Sequence, residues 1–127
     1  MIKNVYSGSP WEKQVAYSRA RRIGPMIAVS GTVAADGQGA VVGAGDAYAQ
    51  TRFILQKIER ALIEAGATLR DVVRTRIYLA NMGHFAEVGR AHKEVFEGID
   101  PATSAIQVAA LINEAMLVEI EVDAYLE

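Results

Sequence analysis

Residues 46–80 read DAYAQTRFILQKIERALIEAGATLRDVVRTRIYLA, and the stretch changes its period halfway. In the first half Ala47, Thr51, Ile54, Leu55, Ile58, Ala61, Leu62 and Ala65 recur at helical spacing. Asp46 is placed as an N-cap and Gly66 as the residue just past the end, so a helix is expected over 46–65. It has one apolar stripe and one charged face, which predicts that it lies on a sheet. In the second half, VVRTRIYLA (72–80), the period becomes two. Val73, Thr75, Ile77 and Leu79 point one way, and Arg74, Arg76 and Tyr78 the other.

The same alternation returns at LVEIEVDAY (117–125), with Val118, Ile120, Val122 and Ala124 on one face. A second helix is expected over about 84–97, with Phe85, Val88, Val95 and Phe96 on its apolar stripe, and a strand over 103–110. Upstream, IKNVY (2–6), YSRARRI (17–23) and MIAVSGTVA (26–34) read as strands, Gly24-Pro25 as a turn, and SGSPWE (7–12) and 35–45 as loops. The order is β-β-β-α-β-α-β-β. Both helices can cover one face of a single sheet, an α+β arrangement. The other face carries Arg74, Arg76, Tyr78, Glu119, Glu121 and Asp123. It is either solvated or paired with other subunits.

The chain has 127 residues, the size of one domain spanning 1–127. It has no cysteine, which removes disulfides, thiolate nucleophiles and cysteine-ligated metals. Its net charge is −2 with mixed signs along the chain, so neither nucleic acid nor an anionic membrane is an expected partner. The opening MIKNVYSGSP lacks a signal-peptide core and no run reaches bilayer length, so a cytoplasmic protein is expected.

Few residues carry obvious chemistry. His84 and His92 are eight apart on the second helix, without the i,i+4 spacing of a metal pair, so no metal site is expected. His92 reads as a packed, hydrogen-bonded histidine. GQGAVVGAG (37–45) fits no phosphate-binding fingerprint and reads as a flexible loop. Ser30-Gly31 inside a strand marks either a bulge or a close approach by a ligand or another backbone. Glu119 and Glu121 share a strand face and are either a solvated acidic face or a carboxylate pair able to raise one pKa for general-base work.

Taken together, AYSRA (16–20), IAVSGTVA (27–34), VVRTRIYLANM (72–82), FAEVGRAHKEVF (85–96) and PATSAIQVAAL…LVEIEVDAY (101–125) resemble the Rid family, also called YjgF/YER057c/UK114. The resemblance covers nearly the whole chain. It implies a chorismate-mutase-like fold, a homotrimer with clefts between subunits, and hydrolysis of small imines or enamines without a cofactor. Tyr17, Ser30 and Gly31 match the family's substrate contacts, and Glu119 matches its water-positioning glutamate. Gly89 falls where the family has a pocket asparagine, and Ala105 where cysteine is common. Thr103 stands where the deaminase branch has a carboxylate-binding arginine.

That replacement implies a non-standard ligand, either neutral, less acidic or lacking the carboxylate. On a regular strand Thr103, Ala105 and Gln107 share a face, expected to floor the intersubunit cleft. Arg19 either substitutes for the missing arginine, sitting near Tyr17 if their strand is regular, or is a surface arginine or part of an interface ion pair. Trp11 and Glu12 either wall the cleft or, for Trp11, anchor subunit packing. The resemblance leaves a deaminase-type hydrolase as the first reading and a non-catalytic trimeric binding or regulatory protein as its rival. A nuclease finds little support in these residues.

Overall fold

The computed structural model describes residues 1–127. Its strands are β1 (Ile2–Val5), β2 (Ala20–Ile23), β3 (Met26–Val33), β4 (Val72–Leu79), β5 (Ala102–Gln107) and β6 (Val118–Tyr125). The helices are α1 (Pro10–Val15), α2 (Ala47–Glu64) and α3 (Phe85–Phe96). The strands form one six-stranded sheet in the order β1-β2-β3-β6-β4-β5. Only β4 and β5 run parallel, and α3 makes the crossover between them. Strand β6 is inserted between β3 and β4, antiparallel to both.

The expected α+β architecture and order of elements along the chain are found, with α1 added. Ser9-Pro10-Trp11-Glu12 is a helix start: the Ser9 side chain accepts from Trp11 N, and proline opens the first turn. A loop reading of SPWE overlooks that S-x-x-E pattern. Tyr17 to Arg19 also differ from expectation. They form an irregular connector that starts at Ala16, left-handed at φ 66°, and the strand begins only at Ala20.

Long helix α2 matches its reading closely. Asp46 caps it by accepting from Ala49 N, and Gly66 follows it at φ +94°. Ala47, Thr51, Ile54, Leu55, Ile58, Ala61 and Leu62 are buried, facing Ile27, Val29, Ile77, Leu79, Val118, Ile120 and Val122 of the sheet. In β4 one residue moves. A register shift between Val72 and Arg74 turns Val72 inward and leaves Val73 54% exposed, so Val73 does not join the buried face. On α3, Val88 and Phe96 are buried, whereas Phe85 lies at the exposed start.

Gln50 is the polar exception on the buried stripe of α2. Its Nε2 donates to Gly43 O and Ala115 O, and its Oε1 accepts from Leu117 N. One amide therefore ties the glycine-rich loop and the approach to β6 onto the helix. Gln50→Ala would leave two part-buried backbone groups, Ala115 O and Leu117 N, without this partner, each costing about 1–3 kcal/mol, while Gly43 O keeps its bond from Asp46 N. The expected loss of stability is at least about 2 kcal/mol, read from the urea midpoint.

Candidate functional site

The site begins with a defect in the ladder between β3 and β6. Val29 pairs with Val122, but Thr32 pairs with Ile120, so Ser30 and Gly31 together face one residue of β6. This is a bulge. Thr32 Oγ1 closes it by donating to Ser30 O, at 2.8 Å. The bulge restores Thr32 and Ala34 to the buried side after Ile27 and Val29.

Gly31 lies against the end of the Glu119 side chain. A Cβ there would fall inside the contact radius of Glu119 Oε2. Of the two sequence readings of Ser30-Gly31, the bulge is found; the group that lies against Gly31 is the Glu119 side chain, neither a ligand nor another backbone. Half-burial raises the Glu119 pKa above the ordinary carboxylate value; Glu121 adds to the rise and Arg19 opposes it.

The bulge also fixes the connector that follows α1. Ser30 Oγ donates to Ser18 O at 2.7 Å, and Ser30 N donates to Arg19 O at 2.9 Å. Arg19 N in turn donates to Val5 O. These bonds place the Arg19 guanidinium 5.7 Å from the Tyr17 ring and let its Nη2 donate to Gly31 O at 2.9 Å. Arg19 thus lies beside the tyrosine, although the segment is not a regular strand. It is buried, contrary to the reading of a surface arginine.

Glu12 anchors the preceding loop. Its buried carboxylate accepts from Ser7 N, Ser7 Oγ and Gly8 N. Tyr17, Arg19, Gly31 and Glu119 line one cleft of about 650 Å³. Trp11 and Glu64 stand on its walls as well. Of the two residues weighed as cleft walls, Trp11 lines it, half-exposed, and Glu12 does not; Lys57 on the charged face of α2 joins the lining without any mark in the local sequence.

Thr103, Ala105 and Gly89 do not line this cleft. Thr103 and Ala105 lie on edge strand β5, paired with Thr75 and Ile77 of β4, with β4 separating them from β6. Gly89 is in the middle of α3, with open space where a Cβ would be. Thr103 Oγ1 donates to Pro101 O at 3.0 Å and lies 2.8 Å from Thr75 Oγ1. Thr75 Oγ1 also lies 2.9 Å from His92 Nε2, so Thr103, Thr75 and His92 form one hydrogen-bonded chain.

His92 is the packed histidine expected, set against Phe96 with ring centroids 4.7 Å apart and planes tilted by 41°. Burial lowers its pKa below 6.5. The unfolded chain binds this proton more readily, so the stability due to His92 is complete above 6.5 and declines as pH falls below it. His92→Gln is expected to reduce the loss of stability between about pH 7.5 and about pH 5.5, measured by urea midpoints. On the open sheet face, Arg76 pairs with Asp123 at 2.9 Å and Tyr78 donates to Glu121 at 2.7 Å, so these charges are satisfied within one chain.

Comparison with known proteins agrees with this architecture. The family model described as Endoribonuclease L-PSP matches residues 9–126. A Mycobacterium tuberculosis structure, a member of the YjgF/YER057c/UK114 family, is similar with a TM-score of 0.89 and 50% identity, covering 99% of this chain and 100% of that one. A Yersinia pestis structure of the conserved Rid protein family has a TM-score of 0.80 and 34% identity, covering 87% of each chain. A RutC family protein of Pyrococcus abyssi is 35% identical over 87% of both chains. No helix is long and apolar enough to cross a membrane. The chain belongs to the Endoribonuclease L-PSP family, whose members also carry the names YjgF/YER057c/UK114 and Rid.

Proposed function

We propose that the chain is a hydrolase of deaminase type acting on a small imine or enamine, and that it works as a homotrimer without a cofactor. The observation that carries this reading is the Glu119 carboxyl, half-buried, raised in pKa and seated against a glycine in a cleft large enough for a small metabolite. In the reaction, Glu119 takes a proton from water as the oxygen bonds to the imine carbon. Glu119 hands that proton to nitrogen, giving a carbinolamine; as the carbon–nitrogen bond breaks, the hydroxyl proton also passes to nitrogen and the C=O bond forms, so the products are a carbonyl compound and ammonia.

Tyr17 and the Ser30–Gly31 backbone would contact the substrate. The split placement of the sequence-derived residues supports the trimer. Tyr17, Gly31 and Glu119 gather on one side of the chain and Thr103 and Ala105 on an edge strand, so a cleft using both sets needs two subunits. With threonine at 103 that edge brings no cation, and the specificity is non-standard.

Purified protein supplied with enzymatically generated imines is expected to release carbonyl product faster than the imine hydrolyses alone. Ligand-dependent thermal stabilisation without any product would favour the non-catalytic binding protein instead. The nuclease named in the family description has less support here. His92 is hydrogen-bonded to Thr75 and His84 pairs with Glu87, and neither lines the Glu119 cleft.

A further inference from the structure

Helix α2 lays one stripe along the Glu119 cleft: Phe53, Lys57, Ala61 and Glu64 all line it. Their spacing of three or four residues puts them on one face of the helix. Lys57 is the amine of that stripe. It is half-buried and takes part in none of the chain's ion pairs. Its hydrogen bond is a long contact of 3.4 Å from Nζ to Ala35 O. An ammonium has three donors to satisfy, and this one has a single weak acceptor.

The surroundings disfavour the charged form of this amine. Burial lowers its pKa first, then the charge of Arg19; Arg60 adds to the fall, and Glu12 and Asp36 oppose it. Both opposing carboxylates are engaged elsewhere. Glu12 accepts from Ser7 and Gly8 and acts on Arg19, and Asp36 accepts from Gln38 N and Ala40 N. Glu119 also acts on Arg19, so the guanidinium draws the local counter-charge and the amine does not. Trp11, Phe53, Ile112 and Met116 supply an apolar wall. A lysine between an apolar wall and a fixed cation is poised as a nucleophile toward carbonyl groups. The reaction assigned to Glu119 leaves this amine unused.

We infer that Lys57, beside Arg19, is a covalent site for small uncharged aldehydes, with the aldehyde's apolar chain against Trp11 and Phe53. An uncharged carbonyl leaves the balance of Arg19 with Glu12 and Glu119 undisturbed. An aldehyde carbon carries a single chain, the least hindered partner for a half-buried amine. The Lys57 nitrogen bonds to the carbonyl carbon, and one N–H proton passes through water to the oxygen, giving a carbinolamine. The hydroxyl then leaves as water with the second N–H proton, and the C=N bond forms. Addition of water reverses the capture. The inference goes beyond the hydrolase reading and needs only the cleft, not the basicity of Glu119.

The test treats the protein at neutral pH with butyraldehyde and sodium cyanoborohydride, which reduces the C=N bond to a stable secondary amine. Peptide mapping by mass spectrometry then reads each amine. Lys3, Lys13 and Lys93 are the internal references, and the α-amine of Met1 is mapped separately. Lys57 is expected to label at least about fivefold faster than the references and to saturate with butyraldehyde, while they label in proportion to its concentration. Relative to the references, acetaldehyde should label Lys57 more slowly than butyraldehyde. Arg19→Gln removes the neighbouring charge and should slow Lys57 at least about twofold, with circular dichroism checking the fold.

Lys57 labelling no faster than the references, or without saturation, would overturn the site. No gain from acetaldehyde to butyraldehyde would overturn the apolar seat for the chain. An unchanged rate in folded Arg19→Gln would overturn the part given to Arg19; if that variant does not fold, the comparison among lysines of the unmodified protein decides. Failure of the hydrolase reading looks different: Lys57 labels and saturates, while no imine is turned over.

Discussion

Glu119→Gln is expected to lower kcat/KM for imine hydrolysis by about 10²–10⁴-fold, the usual contribution of a positioned general base. Glutamine has the same shape and keeps the contact with Gly31, so the fold and the cleft survive. Only the capacity to accept a proton from water is lost. Because Glu119 sits in its folded environment with a raised pKa, its neutral form is favoured there, and a neutral amide should not destabilise the protein. Thermal unfolding at neutral pH is expected to be unchanged or slightly higher for the variant. A rate equal to wild type would remove Glu119 from the mechanism.

Gly31→Ala is expected to have the second largest effect on activity, and for a geometric reason. The new methyl group would occupy the space of Glu119 Oε2. The carboxylate is the free end of a flexible side chain, so it can swing away at small cost to stability. The catalytic oxygen then moves by about a methyl radius, and a displacement on the order of 1 Å can cost about 10²-fold in rate. The signature is a large fall in kcat with a urea midpoint close to wild type. A large fall in stability would instead mean that Gly31 serves the bulge and not the carboxylate.

The parts of this fold that were legible in the sequence are those with a clean period. The stripe of α2 was readable from Ala47 to Ala65 because each apolar residue there meets the sheet. The alternation of β6 was readable because Val118, Ile120, Val122 and Ala124 all face the helices. What failed did so where the backbone breaks period. Val73 departs from the alternation because a register shift at the start of β4 changes the parity of one residue. Helix α1 is too short to show periodicity, and only its capping residues announce it.

Within the site, Ser30-Gly31 was recognisable as special, but the group that approaches it lies far along the chain at Glu119. The burial of Arg19 was unreadable, because arginine is normally exposed and nothing local marks this one. Lys57 sits on the charged face of α2, which sequence alone assigns to solvent. Thr103 was visible as a missing cation, but its hydrogen-bonded chain to Thr75 and His92 depends on a neighbouring strand and helix.

The central claim is that the Glu119 carboxyl, raised in pKa within its cleft, activates water. The pH dependence of kcat/KM for imine hydrolysis by the unmodified protein tests it most directly. The base must be ionised, so the rate should fall as pH drops through the Glu119 pKa, and that limb should lie above the ordinary value of 4.5. Turnover with no acid limb above 4.5, or no turnover above the background of the imine itself, would contradict the account.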